Sequence, residues 1–355
     1  MHKKVRIKPM FFIIIFILIL CTALGVCLFL TTPVNSSDKK DIEIEIKNGE
    51  SITQIGNKLK NNNLIRSTTL FKVYVKVYNV NSLKASTYKL NRSMSLSEIV
   101  SSLEKGSNYN PNMIKLTFKE GERITDYANV ISKNTNNSYD DVINTIKDKD
   151  YLKELISKYW FLTDDILNDQ IYYSLEGYLM PETYHFDNKE VTVKEIINRM
   201  LDETGKYLEE YKSTINGNVH YYMTMASIVE LEGTNTENRK VIVGIFKNRL
   251  KSGFNMGSDV TTYYGLQVPM DKDLTSEQFA SINAYNTRST TMIGKMPIGP
   301  ICNPSKSSIE ASVYPTETDY MFFVADKNGK IYYTKTNAEH EKKIKEIKDN
   351  GDWIW

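Results

Sequence analysis

Glu230 is the residue of this chain whose type and position most directly suggest chemistry. It stands near the end of an apolar, helix-like run that begins at Val219, and Gly233 follows as a helix stop signal. Most of this run is too apolar for a solvated surface helix, so we expect it to be buried. A carboxyl group at the mouth of a buried helix loses hydration, which favours its protonated form. A carboxylic acid that keeps its proton near neutral pH is suited to general-acid cleavage of a glycosidic bond.

The helix alone leaves a second interpretation of Glu230 open, a solvated helix end, because perturbed carboxylates mark functional sites only by inference. Glu232 is a poor second carboxylate for the same chemistry. Two positions along a helix correspond to a rotation of about 200°, so the two side chains would face opposite ways. We therefore expect Glu232 to support the helix end or a loop.

Other reactive residue types offer no competing chemistry. The histidines are scattered without metal-ligand spacing, and we predict neither a metal nor a cofactor. Cys302 is the one cysteine beyond the apolar N-terminal run, so it cannot form an intramolecular disulfide there. No nearby histidine offers it a base. The histidines are His2, His185, His220 and His340.

The segment Ala226–Glu232 resembles the signature of the endolytic murein transglycosylases, the MltG or YceG-like family. Further segments match the family in the same order and at similar spacing, and together they extend over about half the chain. They are Ser174–Tyr184, Phe246–Leu250, Ser258–Thr261 with Tyr264–Gly265, Ala284–Thr287, Pro297–Ile301 and Phe323–Asp326.

The resemblance implies a lytic transglycosylase, in which a single glutamate serves both chemical steps. Glu230 would protonate the oxygen that links N-acetylmuramic acid to N-acetylglucosamine within a peptidoglycan strand. Its carboxylate would then take the proton from the muramic C6 hydroxyl, which attacks C1 of its own ring and leaves a 1,6-anhydro end. Proximity of this hydroxyl to C1 replaces an activated water. The family also implies a role in ending strand growth, with glycan synthases and division or elongation proteins as partners.

The resemblance also nominates residues that bind the substrate. Asp259 and Thr261 lie in the family's Asp-x-Thr segment, although Asp259 could instead form a turn. Tyr285 and Asn286 supply a ring and an amide for a sugar and its N-acetyl group. Three residues of the upstream segment are candidates for lining the cleft, although a glutamate beside Gly177 could equally be a buried structural acceptor. They are Glu176, Glu182 and Tyr184.

Four positions depart from the family pattern, and one of them is Ile298, where the family's Pro-Pro-Gly segment reads Pro297-Ile298-Gly299. Leu231 replaces a lysine that often follows the glutamate, so we expect no cation beside the acid. Val260 replaces a proline, which predicts a looser loop, and Gly257 stands in place of a glutamine.

Two other functions stay open. One is a lysozyme-type hydrolase that uses Glu230 and Asp259 with water. The other is a non-catalytic scaffold that binds peptidoglycan. The products distinguish the two enzymes, and a scaffold would tolerate glutamine at position 230.

The N-terminus predicts a membrane anchor. Residues 10–30 are uncharged and almost entirely apolar, enough to span a bilayer as a helix. Four basic residues in the tail, residues 1–9, place the N-terminus in the cytoplasm and the remainder outside the cell membrane. A cleaved signal peptide is the alternative, but the run is longer than a signal core and lacks a clear cleavage site. Residues 31–40 then form a polar linker.

The charge balance excludes a nucleic-acid binder. The net charge of the whole chain is +2, but residues 41–355 contain 39 basic and 42 acidic side chains. The external part therefore lacks the basic excess typical of nucleic-acid binding.

The chain beyond the linker is predicted to be α+β, because strands and helices mix without strict alternation. A strand, a glycine turn and a helix at 42–59 resemble the opening of a LysM-like module, which binds N-acetylglucosamine polymers or only spaces the next domain from the membrane. We assign this small α/β module to 41–108. The same pattern recurs at 114–124 and opens a mixed α+β catalytic domain, 109–355, in which 109–170 is this repeat and a helical connection.

Overall fold

The computed structural model describes residues 9–47, 49–80, 82–106 and 109–353. Contacts between residues divide the chain into two compact units, Met1–Asn112 and Met113–Trp355. Residues 1–8 of the predicted tail, and residue 108 at the predicted module boundary, lie outside the described residues.

The first unit begins with a long apolar helix, α1 (Pro9–Thr31). Its stretch Ile14–Thr31 is long and apolar enough to cross a membrane, and none of this stretch is buried against the rest of the protein. The helix therefore fits the transmembrane anchor that the sequence predicts.

The rest of the first unit is a small α/β layer. Strand β1 (Ile42–Ile46) pairs antiparallel with β2 (Ser86–Leu90), with Ile44 opposite Tyr88. Isoleucines of β1 face the core while the glutamates between them are exposed, as the period of two predicts. Helices α2 (Ile52–Asn61), α3 (Thr68–Val77) and α4 (Leu96–Lys105) supply the other core side chains, and capping boxes start α2 and α4.

The second unit is mostly helical, with two small sheets among its described residues. Strand β3 (Ile114–Thr117) pairs antiparallel with β4 (Thr183–Phe186), and β5 (Phe322–Ala325) pairs antiparallel with β6 (Ile331–Thr334). The helices are α5 (Ile124–Asn134), α6 (Tyr139–Lys147), α7 (Lys149–Lys158), α8 (Val193–Leu208), α9 (Lys212–Ile215), α10 (Val219–Glu232), α11 (Thr236–Lys251), α12 (Asp259–Gly265), α13 (Ser276–Phe279), α14 (Lys306–Val313) and α15 (Asn337–Asp349). Short 3-10 turns lie at Asp164–Leu167, Glu209–Tyr211 and Thr290–Met292. Helix and strand are mixed without alternation, so the fold is α+β as predicted.

Helix α10 lies between two hydrophobic cores. Met223 and Ala226 pack into one core with α5 to α8, whereas Met225, Ile228 and Val229 pack into another with α11 and α12. The helix is therefore apolar on every side because it has neighbours on every side. This burial fixes the direction in which its C-terminal end points.

The glycine that ends α10 has a packing role. Gly233 has φ −102°, which any residue can adopt, so it is not a left-handed stop. A Cβ at this position would lie 2.5 Å from Cγ of Arg239, which is too close. The absence of a side chain at Gly233 therefore lets the following helix, α11, bring Arg239 against the end of α10.

Candidate active site

Glu230 lies in the last turn of α10, and its side chain is 7% exposed. Arg239, in the first part of α11, donates from Nη2 to Oε1 of Glu230 at 3.0 Å. The guanidinium is itself mostly buried, with 13% of the side chain exposed. The two groups form an ion pair that is largely withdrawn from water, so removing either partner would leave the other unpaired inside the protein.

The second oxygen of Glu230 is held by the start of α14. Oε2 accepts hydrogen bonds from the Ser305 backbone N–H at 2.8 Å, from Ser305 Oγ at 2.5 Å and from Ser308 Oγ at 2.6 Å. Ser305 is also the N-cap of α14, because its side chain accepts from the Ser308 N–H. The positive end of the helix dipole therefore points at the carboxylate.

Four donors, one of them cationic, thus contact the two oxygens of Glu230. The carboxyl group is not only buried but also held in an ion pair and at the N-terminus of a helix. The expected absence of a cation beside the acid is wrong, since the Arg239 guanidinium lies 3.0 Å from Glu230.

Arg239 connects the acid to the serines of α14. It also donates from Nη1 to Ser307 Oγ at 2.6 Å and to Ser305 Oγ at 3.2 Å. Its Nε is buried without a hydrogen-bond partner in the part of the chain that the structure describes. The two Nη atoms of Arg239 are therefore hydrogen-bonded, whereas its Nε is not.

A glycine turn lies over the acid. Gly121 has φ +74°, and a Cβ there would lie 3.7 Å from Cγ of Glu230 and 3.4 Å from Leu231. Two backbone hydrogen bonds hold the turn to Asn303: Gly121 N–H donates to the Asn303 carbonyl at 2.9 Å, and Asn303 N–H donates to the Glu122 carbonyl at 3.0 Å. The repeated strand, turn and helix pattern thus delivers a loop to the catalytic candidate.

Glu120 precedes that glycine and is a carboxylate within electrostatic range of Glu230. The residue is exposed at the surface, but partial burial of its carboxyl group raises its pKa, and the charge of Glu230 raises the pKa further. Arg239 acts on this pKa in the opposite direction.

Glu176 is a buried structural acceptor, the alternative that the sequence left open. Its Oε1 accepts from the Ile124 N–H at 2.9 Å, and its Oε2 accepts from the Tyr264 hydroxyl at 3.1 Å. Burial raises its pKa to about 8. Asn303 lies beside it and accepts from the Gly177 N–H at 3.0 Å, so this network holds the segment that leads to Ser305.

The other two candidates of the upstream segment differ in exposure. Glu182 is half exposed and pairs with Lys306 at 2.7 Å, next to the serine that binds Glu230. Tyr184 is buried in β4, and its hydroxyl donates to the Met180 carbonyl at 2.8 Å. The packing therefore brings Glu182, but not the Tyr184 hydroxyl, to the surface near the acid.

Tyr285, Asn286 and Thr261 are buried. Ring centroids of Tyr285 and Tyr264 are 4.8 Å apart. The Asn286 amide accepts from the Thr262 hydroxyl at 2.7 Å, and the Thr261 hydroxyl donates to the Ser258 carbonyl at 2.6 Å. Each of these polar groups is used inside the protein, which gives it a structural role. Their contact with substrate stays a prediction.

Asp259 and Glu232 lie on a different side of α10 from the serines of α14. Asp259 is the first residue of α12, is exposed and pairs with Arg288, where the sequence allowed a turn. Ser258 Oγ donates to Oε1 of Glu232 at 2.6 Å, and burial raises the pKa of Glu232 to about 7. Glu230 and Glu232 thus bind different helices, as the helical rotation predicts.

Four groups of this site were not predicted from the sequence: Arg239, Ser305, Ser308 and Glu120. The Ser-x-x-Ser pattern of 305–308 is a helix-capping signal, but it does not say which group the helix end faces. Arg239 and Glu120 carry no local signal, because only the packing of separate segments places them beside Glu230.

Comparison with known proteins defines the class to which this fold and site belong. The chain belongs to the YceG-like family, whose sequence profile matches residues 44–346. A Bacillus subtilis (strain 168) relative named endolytic murein transglycosylase is 35% identical over 317 residues, covering 88% of this chain and 86% of the relative.

Two further proteins extend the comparison. A Streptococcus pneumoniae (serotype 2, strain D39) relative with the same name is 30% identical, and the match covers 88% of this chain and 60% of that protein. The crystal structure of a YceG-like protein from Listeria monocytogenes matches with a TM-score of 0.60 and 34% identity, over 86% of this chain and 99% of that one.

Proposed function

We propose that this protein is a lyase, an endolytic peptidoglycan lytic transglycosylase held at the cell membrane by α1. It cleaves the β-1,4 bond between N-acetylmuramic acid and N-acetylglucosamine within glycan strands. Family membership and the names of the relatives support the class of reaction. The observation that carries the proposal is Glu230, which is nearly buried at the end of a rigid helix and oriented by two other helices.

Glu230 acts as acid and then as base. In its protonated form it gives a proton to the glycosidic oxygen while the bond from C1 to that oxygen breaks. The muramic C6 hydroxyl then attacks C1 and returns its proton to Glu230, so no water is consumed and the enzyme is regenerated. Serine hydroxyls suit both states, because a hydroxyl can donate to a carboxylate or rotate to accept from a carboxylic acid.

Arg239 and the start of α14 keep the carboxyl group in place during both steps. Holding the reacting groups in a fixed geometry lowers the entropy cost of each proton transfer. Glu182 lies at the adjacent surface and is our candidate for contacting a sugar. Asp259, Thr261, Tyr285 and Asn286 are further candidates for contacting the glycan. Glu176 and Tyr184 support the site from inside the protein through their hydrogen bonds to the backbone.

The anchor places this reaction close to the membrane. We propose that the N-terminus is cytoplasmic and that the residues after α1 lie outside, where new glycan strands emerge. Cleavage there would end strand elongation, in concert with glycan synthases and division or elongation proteins.

The first unit serves the same substrate. We propose that 41–108 is a LysM-like module that binds N-acetylglucosamine polymers, and that 109–355 is the catalytic domain. The antiparallel pairing of β1 with β2, together with helix α2 after β1, supports this assignment.

Mass spectrometry of the muropeptides released from purified peptidoglycan tests the function. The full-length protein in detergent should produce anhydro ends, one water lighter than reducing ends, and Glu230→Gln should produce none. Reducing ends that disappear with Asp259→Asn would instead identify a hydrolase. Binding without cleavage, equal for the wild-type chain and Glu230→Gln, would identify a scaffold.

A further inference from the structure

The contacts of Glu230 raise a question about its proton. Four donors, including the Arg239 guanidinium, contact its two oxygens, yet the first chemical step needs a proton on this carboxyl group. A second carboxyl group nearby would supply this proton within the site.

Glu120 differs from Glu230 in its hydrogen bonding. Among the residues that the structure describes, no hydrogen bond to the Glu120 side chain is found. The neighbouring carboxylate of its own turn, Glu122, is by contrast engaged with the Lys119 backbone and lies 3.9 Å from Lys119 Nζ. Glu120 thus has nothing to stabilise its charge on its own segment.

The charged groups that face Glu120 come from four other segments. Glu230 on α10 and Glu182 before β4 are acidic, and Arg239 on α11 and Lys306 on α14 are basic. Each cation is already paired with one of these acids, Arg239 with Glu230 at 3.0 Å and Lys306 with Glu182 at 2.7 Å. Partial burial, followed by the charge of Glu230, therefore prevails and raises the pKa of Glu120.

The backbone holds the turn that carries Glu120 against Glu230. Gly121 adopts φ +74° against Cγ of Glu230, and the paired hydrogen bonds to Asn303 fix the turn. Asn303 also leads into Ser305, which binds Glu230. One short segment thus positions both carboxyl groups.

We propose that Glu120 holds the proton that Glu230 uses, so that the two carboxyl groups share one proton through the reaction. The proposal rests on the proposed function. As the substrate excludes water, Glu120 passes its proton to Glu230 and becomes a carboxylate. Glu230 gives this proton to the glycosidic oxygen and recovers one from the C6 hydroxyl. The proton then returns to Glu120, so protons balance over one turnover.

The test is the pH dependence of anhydro-product formation by the full-length protein, with Glu120→Gln and the matched control Glu122→Gln. Activity of the wild-type chain should be lost as pH rises through the titration of Glu120. Glu120→Gln should lower kcat about 10-fold or more near neutral pH, with KM changed less than about 2-fold. Its alkaline limb should lie at lower pH, because Glu230 must then take its proton from water. Glu122→Gln should keep the wild-type profile.

Two results would overturn the proposal. The pH profile of kcat for Glu120→Gln could superimpose on that of the wild type, or the effect could be confined to KM, in which case Glu120 would only contact a sugar. Glu120→Asp should restore part of kcat and of the alkaline limb. Failure of the proposed function itself is distinguishable, because the wild-type chain would then release no anhydro ends at any pH.

Discussion

The two carboxylates at the end of α10 lie in contrasting environments. Glu230 faces α11 and α14 and meets a guanidinium and three neutral donors. Glu232 faces the start of α12 and accepts a hydrogen bond from Ser258. Both side chains are withdrawn from water, and burial raises the pKa of Glu232 to about 7.

The contrast shows that two glutamates in one helical turn can have different polar surroundings although both are withdrawn from water. The Glu230 side joins α10 to α11 and α14 through a guanidinium and neutral donors, and the Glu232 side joins α10 to α12 through a hydroxyl. Substitutions on each side should separate activity from stability.

Arg239→Met should have the largest effect on activity. It leaves Glu230 without its cation and frees Oε1, so we expect a loss of about 100-fold in kcat/KM for anhydro-product formation. Arg239→Lys should recover part of this loss, because it restores a charge without the geometry of the guanidinium. Thermal unfolding of both variants controls for folding. If Arg239→Met kept wild-type activity, the ion pair would not be what distinguishes the Glu230 side of α10 from the Glu232 side.

Ser308→Ala should reduce activity less, by about 10-fold, since it removes one hydrogen bond to a charged oxygen. The matched control is Ser307→Ala, because Ser307 contacts Arg239 and Ser305 but not Glu230. Equal effects of the two substitutions on kcat would mean that the serines act only through Arg239.

Local sequence patterns predict part of this arrangement, and the packing of distant segments determines the rest. Glu230 is predictable because its helix is apolar throughout, and β1 because its isoleucines alternate with glutamates. Arg239 and Ser305 are not, because separate segments bring them to the acid. Tyr285 and Asn286 show the converse, since a sequence does not distinguish a polar side chain in a cleft from one that stabilises a buried loop.

Glu232→Gln should change stability in a pH-dependent way and leave activity within about 2-fold of wild type. Its folded pKa of about 7 exceeds the usual 4.5, so the wild-type chain loses stability as pH rises between these values. Glutamine removes this loss, which amounts to about 3 kcal/mol at pH above 7. The variant should therefore unfold at higher temperature than wild type at about pH 8, and at a similar temperature near pH 4. Loss of anhydro products would instead place Glu232 in the reaction.

Ser258→Ala should have the smallest effect, and its pH dependence sharpens the comparison. The hydroxyl donates to Glu232 at 2.6 Å and lowers its pKa against the effect of burial. Without this donor the carboxylate is harder to keep charged, so the variant should lose about 1 kcal/mol of stability above pH 7 and less near pH 5, where the group is protonated. Thermal unfolding at both pH values measures the difference. An equal loss at the two pH values would show that Ser258 only fills space at the start of α12. A larger loss at high pH would show that this hydroxyl stabilises the charged form of Glu232 at the end of α10.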